Sequence, residues 1–510
     1  AALGLLIALQ YRDLEERAAE AVAAEAQARD QRDAAEGLTD YMLSDLRAKL
    51  DPIGKLALMA DVGRQVDGYY RQIGAQAGNL DALARRAMAM RLLSDVARAG
   101  GDSRGAAAWA RESAELALMS GQAGLATASW ANLGDVLLDQ GDTRGAAAAF
   151  AVTAQVGAGR PGVSADLDVR AGQLARHRGD NEVALAAWRR AARAYERLPA
   201  GAGGDDNTLI ATYIMTGGLL AQMGRNQEAL VELGRCSALL DRLLHAEPDS
   251  PDWLHRRFVL GRELANTYAG MNDMARAETE RRAGVERMAQ LTARDPANAA
   301  WQADQAMALF DLGQTLMFAG HQDDARDTFE RGIAIEQRLV DADPDQLQRR
   351  TELGSLLYWR TLSLGESGRT AAALVSARQW ADLARGSLSR SPDDVDLRYQ
   401  VAQALVLVGD YTLADSVSQL AAYREAADLV EGPAAQPSSQ AMLRSVLSDA
   451  VLGMAKALRA QGKIADSHLH AVRALAMLQA QRDAGELEDN NLWILDEARS
   501  LAAATAPKKR

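Results

Sequence analysis

Residues 130–150 read WANLGDVLLDQGDTRGAAAAF. Apolar residues recur at helical spacing on both sides of Gly141, where the chain would turn. Residues 309–329, LFDLGQTLMFAGHQDDARDTF, place a leucine–glycine pair, a second glycine, an alanine and a phenylalanine at the same spacing. This shared spacing predicts two copies of one structural unit, a pair of helices joined by a tight turn.

A glycine followed five residues later by a small residue marks this turn along the chain. The marker begins at Gly101, Gly141, Gly179, Gly224, Gly270, Gly320, Gly368 and Gly462. The steps run from 38 to 50 residues, except for a last step of 94, which indicates a repeat near residue 415 that has lost its glycine. Glycine adopts the left-handed conformation that ends a helix, and Asp102, Asp142 and Asp180 can cap the helix that follows. The markers predict about nine helix pairs.

Four prolines, Pro248, Pro296, Pro344 and Pro392, lie 48 residues apart. A fixed period of this size is typical of proteins built from stacked repeats. Alanine is abundant, which favours helix almost throughout. The predicted fold class is therefore all-α, an α-solenoid in which each helix pair packs on its neighbours.

The residues of 130–150 match the pattern of the tetratricopeptide repeat, Trp-x2-Leu-Gly-x2-Tyr followed by Ala and Phe. Residues ~85–480 thus resemble a tetratricopeptide array. The family's usual unit has 34 residues, whereas the units here run from 38 to 50, and we expect the extra residues to lengthen the second helix of each pair. A helical array of another family is the alternative.

Composition limits the function classes. The 510-residue chain carries a net charge of −12, which argues against nucleic-acid binding through a basic surface. Cys236 is the single cysteine, so no internal disulfide and no cysteine metal site is expected.

The amino-terminal region differs from the repeats. Residues 1–10 start with nine apolar residues, fewer than the ~20 that span a bilayer. We interpret them as the end of a longer transmembrane helix, with a buried helix of the first repeat or a signal-peptide remnant as alternatives. Residues 11–36 predict a polar helical stalk, and residues 37–84 predict a membrane-proximal helical segment.

Residues ~1–75 resemble the segment that links a single transmembrane helix to a tetratricopeptide array in large bacterial signalling proteins. In that group a variable cytoplasmic effector domain precedes the membrane helix. The resemblance implies a single-pass protein of the bacterial inner membrane, bound to the membrane through its apolar amino-terminal segment. We expect its repeats in the periplasm, with a cytoplasmic location as the alternative.

Two patterns in the sequence resemble motifs of cofactor or metal sites, but the residues around them do not suit such a site. Residues 157–162, GAGRPG, formally match a dinucleotide-binding loop, but no strand precedes them and Pro161 interrupts them. His468 and His470 would point ~200° apart on a helix, so they cannot share a metal. No enzymatic activity, no cofactor and no metal site is expected.

In tetratricopeptide arrays the first helices line the concave face, so positions counted back from the turn glycines give the candidate partner-binding residues. They are Asn132, Asp135, Asp139, Tyr268, Phe310, Phe318, Tyr358 and Trp359. Asn132 falls where the family has its peptide-clamping asparagine, but the clamp's lysines and arginines have no clear counterparts. Exposed aromatics would make effective hot spots. Packing between helices is nevertheless the favoured interpretation, because aromatics form only 5% of the chain.

These features predict a non-enzymatic scaffold or sensor module that binds protein partners. One alternative is a structural subunit packed permanently in a larger membrane complex, and the other is a receptor for a small molecule or glycan. Repeats are expected over residues 85–431 and a linker over 432–440. A last repeat, a capping helix and a basic tail are expected over 441–510.

Overall fold

The computed structural model describes residues 59–74, 80–99, 101–198, 206–436, 440–487 and 491–507, together with Gly37 and Tyr41. Within these ranges the chain forms 20 α-helices and no β-strand. The chain divides into two units, Ala1–Glu263 and Leu264–Arg510. Abundant alanine and leucine explain why helix dominates both units.

The helices of the first unit have 14 to 21 residues. In order they are α1 (Ala60–Gly74), α2 (Leu80–Ala99), α3 (Ser103–Met119), α4 (Ala123–Asp139), α5 (Thr143–Val156), α6 (Val163–His177), α7 (Asn181–Tyr195), α8 (Asp206–Gln222) and α9 (Asn226–Ala246). The division between the units falls inside α10 (Pro251–Gly270).

The second unit continues the same alternation of helix and turn. Its further helices are α11 (Met274–Arg294), α12 (Ala299–Phe318), α13 (Gln322–Ala342), α14 (Leu347–Glu366), α15 (Thr370–Leu388), α16 (Val395–Tyr411), α17 (Ser416–Ala434), α18 (Ala441–Ala460), α19 (Ile464–Asp483) and α20 (Leu492–Thr505). Taken in order, α2 to α19 make nine helix–turn–helix pairs in the described part of the chain. This confirms the predicted number, including a pair, α16 and α17, whose turn near residue 415 has no left-handed glycine.

The turns inside the pairs follow the glycine marker with one exception. Seven of the eight marker glycines have φ between 71° and 83°, the left-handed conformation. Gly270 instead ends α10, and the left-handed residue of that turn is Asn272, with φ of 61°. Asparagine is one of the few residues other than glycine that adopt this conformation. From Gly224 to Gly368 the left-handed residues therefore lie at intervals of 48 residues, the period of the prolines.

The predicted helix caps form at two of three positions. The side chain of Asp102 accepts a hydrogen bond from the backbone N–H of Gly105 at 2.9 Å, and that of Asp142 from Gly145 at 2.8 Å. Asp180 precedes α7 without such a bond. Side-chain caps therefore fix the starts of α3 and α5, where they satisfy N–H groups that lack a partner within the helix.

The prolines end second helices of the pairs. Glu247, Asp295 and Asp343 cap α9, α11 and α13 with φ between −133° and −140°. Each precedes a proline, whose ring disfavours the helical conformation in the residue before it. The second helices α9, α11 and α13 have 21 residues, and the first helices α10, α12 and α14 have 20. The extra length is thus shared by both helices, because paired helices cover each other's apolar faces only when both extend.

Glycines in the first helices let aromatic rings of the second helices approach closely. A Cβ added to Gly134 would lie 2.2 Å from Cε1 of Phe150, and one added to Gly313 would lie 2.4 Å from Cε1 of Phe329. Both rings are buried. The spacing shared by residues 130–150 and 309–329 therefore reflects a helix–helix contact.

Gly313→Val is expected to lower the free energy of unfolding by about 2–3 kcal/mol, because the fully buried Phe329 ring would have to move. Urea denaturation followed by circular dichroism measures the loss. Gly234→Val is the matched control, since Gly234 is exposed in α9 with open space around its Cα, and we expect a change within about 0.5 kcal/mol. Equal losses in the two variants would contradict the close-approach interpretation.

The predicted single-pass membrane protein with periplasmic repeats is wrong. Within the described ranges, no helix is both long enough and apolar enough to cross a membrane. A span needs ~20 mostly apolar residues, whereas a long helix such as α11, MARAETERRAGVERMAQLTAR, carries charged residues along its whole length. The predicted membrane-binding segment at 1–10 and the stalk at 11–36 lie outside the described residues.

The structure also shows where the helices near the carboxy terminus begin and end. The predicted linker, 432–440, overlaps α17, which continues through Pro433 to Ala434. Proline has no N–H to donate to the preceding turn, and the helix ends one residue after Pro433. Helix α20 follows the last pair and buries Leu495 and Leu501 in the core of the second unit.

Candidate functional site

Two predicted partner-binding residues of the first unit, Asp135 and Asp139, are held in ion pairs between first helices. Asp135 on α4 accepts two hydrogen bonds from Arg170 on α6, at 3.0 Å from Nε and 2.9 Å from Nη2. Asp139 lies 2.6 Å from Nε of Arg98 on α2. The third residue, Asn132, has its Nδ2 3.5 Å from Oγ of Ser94.

These ion pairs line a cavity of about 390 Å³ in the first unit. Burial raises the pKa of Asp135, and the guanidinium of Arg170 opposes this rise. A bidentate arginine–carboxylate pair is a strong interaction when partly buried. The acids on this face of α4 are therefore occupied by arginines of the chain itself.

Three of the five predicted aromatic residues lie together in the second unit. The rings of Phe318 and Trp359 meet edge to face, with centroids 5.7 Å apart, and the ring of Tyr358 lies 5.5 Å from that of Trp359. Phe318 is 68% exposed, so this cluster reaches the surface. Tyr268 lies instead against the guanidinium of Arg276, 5.5 Å from its ring centroid, and Phe310 is half-buried in α12.

Tyr358 also lines an open groove of about 710 Å³ in the second unit. Three successive first helices, α14, α16 and α18, form its walls, and α20 closes one side. The residues that carry its chemistry are Tyr358, Glu366, Tyr399, Gln403, Asp410, Ser445, Asp449, Lys456, Trp493 and Glu497. We call this surface the acidic groove.

Helical periodicity explains why each first helix turns one face to the acidic groove. Residues three or four apart lie on one face of a helix. Tyr358, Leu362 and Glu366 on α14 follow this spacing, and the series from Asp449 through Leu452 to Lys456 repeats it on α18. Stacking of equivalent helices then gathers these faces into one surface.

The acids of the acidic groove differ in the groups that they contact: one pairs with a lysine, and two accept hydrogen bonds from neutral side chains. Nζ of Lys456 lies 2.7 Å from a carboxylate oxygen of Glu497. Tyr423 Oη donates to Asp410 at 2.6 Å, and Gln322 Nε2 donates to Glu366 at 2.6 Å.

Asp449 differs from these acids in its surroundings. It is half-buried and makes no hydrogen bond or ion pair with the described residues. Burial is the main cause that raises the pKa of Asp449 to about 7, and the charge of Asp410 adds to it while Lys456 opposes it. Burial also raises the pKa of Tyr358 and of Tyr399, and the charge of Asp449 adds to both shifts. Such a carboxyl would be stabilised in its charged form by a cation close to it.

Sequence reasoning missed most of the acidic groove. Asp135 lies six residues before Gly141, and the same count from Gly462 reaches Lys456. Tyr358 lies ten residues before Gly368, and Leu452 lies ten before Gly462. Extending the count to every turn would therefore have found the groove face of α18. Asp410 gave no such signal, because its turn has no glycine.

The described part of the chain holds neither a metal-binding cluster nor a reactive thiol. Its residues contain no group of three or more His, Cys, Asp or Glu side chains placed to hold a metal ion. Cys236 is buried, and burial raises the pKa of its thiol to about 12. At neutral pH this thiol stays protonated, a poor nucleophile.

The chain is similar to known proteins in its structure and not in its sequence. It matches no protein-family model and no curated protein sequence. The apo form of RapI is similar in structure with a TM-score of 0.51 and 11% sequence identity, over 78% of this chain and 99% of that one. A signal-transduction ATPase with numerous domains from Pyrococcus horikoshii, which has a tetratricopeptide repeat sensor, is also similar in structure. Its TM-score is 0.52 and its sequence identity is 10%, over 84% of this chain.

The match to the Pyrococcus protein spans 56% of that protein's length. At these identities the likeness concerns the fold alone. It agrees with the nine helix pairs, the left-handed turns and the contacts between glycines and aromatic rings. The chain is an all-α solenoid of tetratricopeptide-like helix pairs.

Proposed function

We propose that this chain is a non-enzymatic scaffold or sensor module that binds an extended segment of a protein partner in the acidic groove. The observation that carries the proposal is the joining of three first-helix faces, on α14, α16 and α18, into one open surface that holds aromatic and charged side chains. A preformed surface of this kind binds with little ordering cost.

The groove has features of a recognition surface. Tyr358, Tyr399 and Trp493 line it, and tyrosine and tryptophan are enriched among the residues that dominate binding energy. Trp493 is 62% exposed, so its indole ring is accessible to a partner. The exposed Phe318 and its neighbour Trp359 extend the aromatic surface of the second unit.

Two further points bear on the proposal. The repeat region of the Pyrococcus signal-transduction ATPase is described as a sensor, which is consistent with a sensing role on the same fold. Among the predicted partner-binding residues, Tyr358 belongs to the acidic groove. Roles in partner binding for Asn132, Asp135, Asp139, Tyr268 and Phe310 stay predictions.

Blocking the groove tests the proposal. Random peptides displayed on phage would be selected on the full chain, and the affinity of the enriched peptides measured by fluorescence polarisation. Ser445→Trp is expected to weaken binding by about tenfold or more, a change of about 1.4 kcal/mol, because Ser445 is exposed on the groove wall and the indole would occupy the space of the peptide.

Ala372→Trp is the matched control, since Ala372 is exposed on the second helix α15 and does not line the groove. It should leave the affinity unchanged. Circular dichroism would confirm that both variants keep their helix content. The proposal fails if no peptide is enriched, or if the two tryptophan variants bind the enriched peptides equally well.

A further inference from the structure

We propose that the acidic groove selects peptides by a lysine or arginine side chain, whose positive charge pairs with Asp449. This inference rests on the proposed function, because it names the chemistry of the segment that the groove binds. It also assigns to Asp449 a role that the pattern of turn glycines does not predict.

The first support is the charge of the groove. Among the described residues, four carboxylates, those of Glu366, Asp410, Asp449 and Glu497, line it together with a single cationic side chain, Lys456. Lys456 lies 2.7 Å from Glu497, so these two charges compensate each other. The carboxyl groups of Glu366, Asp410 and Asp449 then remain without a cation among the described residues that line the groove.

The second support is that the three remaining acids differ in their hydrogen bonds. Glu366 and Asp410 accept hydrogen bonds from Gln322 and Tyr423, which are neutral groups and leave the charge uncompensated. Asp449 has neither a hydrogen bond nor an ion pair with any described residue. A half-buried carboxylate without a partner is unfavourable, and the guanidinium or ammonium group of a ligand would supply the partner.

The third support comes from the first unit, where the same kind of surface is already filled. There Arg170 reaches from α6 to Asp135 on α4 and makes two hydrogen bonds. No arginine is among the described residues that line the acidic groove. In the acidic groove, the arginine of a bound peptide would supply the guanidinium group that the chain's own Arg170 supplies in the first unit.

The aromatic walls fit the same occupant. Tyr358 and Tyr399 interact electrostatically with Asp449 and line the groove beside it. A cation within about 6 Å of a tyrosine ring is attracted to the ring face. A peptide with an acidic residue at this point would instead meet like charges from Asp410 and Asp449, so we expect the groove to reject it.

The test uses pools of peptides that differ at one position. All peptides are capped at both ends, and the varied position holds arginine, lysine, citrulline or glutamate, citrulline being the neutral analogue of arginine. We expect the full chain to bind the arginine and lysine pools at least about tenfold more tightly than the citrulline pool, and the glutamate pool least tightly. Asp449→Asn should reduce the arginine preference below about threefold, and Asp449→Lys should favour glutamate over arginine.

Asp428 provides the matched control. It is exposed on the second helix α17 and does not line the groove. Asp428→Asn and Asp428→Lys change the net charge of the chain by the same amounts as the Asp449 variants. They should keep the preference of the wild type, which separates contact with Asp449 from the general negative potential of the chain.

A pH series adds an independent readout. As the pH falls from about 8 to about 6, Asp449 takes up a proton and loses its charge, so the arginine preference of the wild type should decline. In the described part of the chain, the other titratable groups that face this site are Asp410, Lys456, Glu366, Glu497 and the two tyrosines. Asp449→Asn should show a flatter profile over this range.

The possible failures are distinguishable. If groove-binding peptides exist, but the arginine and citrulline pools bind equally, the charge proposal is overturned and the binding function stands. The same holds if the variants of Asp449 and Asp428 behave alike. If Ser445→Trp has no effect on any selected peptide, the proposed function itself is overturned.

Discussion

Trp188→Ala is expected to lower the free energy of unfolding of the first unit by about 3–5 kcal/mol. Trp188 is the largest fully buried side chain described, with 1% of its surface exposed. Its ring packs against Gly172, where an added Cβ would lie 2.3 Å from Nε1, and its Nε1 donates a hydrogen bond to the backbone oxygen of Val169 at 3.0 Å. Alanine would leave a cavity between α6 and α7 and remove that hydrogen bond.

Urea denaturation and hydrogen exchange would measure this loss together, because a long repeat array need not unfold in one step. Hydrogen exchange should accelerate most in α6 and α7. Trp493→Ala removes the same side chain from an exposed position, with 62% of its surface accessible, and should cost below about 1 kcal/mol. Similar losses for the two variants would show that Trp188 does not hold its pair together.

Arg349→Met is expected to lower the free energy of unfolding by about 3–5 kcal/mol at pH 8. Nη1 of Arg349 on α14 lies 3.0 Å from Oε1 of Glu336 on α13. Glu336 is 2% exposed, and its Oε2 has no hydrogen-bond partner among the described residues. Methionine would therefore leave a buried carboxylate without its cation.

The cost of Arg349→Met should depend on pH. Burial raises the pKa of Glu336 to about 7, Arg349 opposes the rise and Glu352 adds to it. Because the folded state holds this proton more tightly than the unfolded chain, the stability that Glu336 contributes is full below about pH 4.5 and is lost as the pH rises through about 7. Removing Arg349 raises the pKa further, so the loss should be small near pH 5 and large at pH 8.

A double variant gives the control for this pair. Replacing both members of a buried ion pair by apolar residues is often neutral or stabilising. Glu336→Leu combined with Arg349→Met should thus recover the stability of the wild type to within about 1 kcal/mol at pH 8, as measured by urea denaturation. A double variant as unstable as Arg349→Met alone would mean that shape, and not the unpaired charge, causes the loss.

The fold could be predicted because its turns leave a mark in the sequence. Left-handed turns require glycine or asparagine, and a small residue five positions later is buried against the first helix. The one turn residue that was predicted wrongly, Gly270, follows from the same requirement for a left-handed residue. Gly270 and Ala275 fit the spacing, but Ala275 is exposed, whereas Asn272 is left-handed and Ala277, five residues later, is buried. A search restricted to glycine could not find this turn.

The candidate site could be predicted only in part. Counting along a helix shows which face a residue occupies, and it placed both Asp135 and Tyr358 on the faces of first helices. It cannot show which acids find a cation, because Arg170 is 35 residues from Asp135 in sequence. Asp135 is paired and Asp449 is not, and this difference depends on side chains that only the stacking of repeats brings together.

The constant interval between left-handed residues has an evolutionary consequence. Asn272, Gly320 and Gly368 occupy the same point of consecutive repeats. A chain that lost residues 273–320 would join Asn272 to His321 and place α13 where α11 stood. Unequal recombination between repeats could therefore shorten or lengthen the array by whole helix pairs while α14, α16 and α18 remain consecutive first helices. The recognition surface and the number of repeats can thus evolve separately.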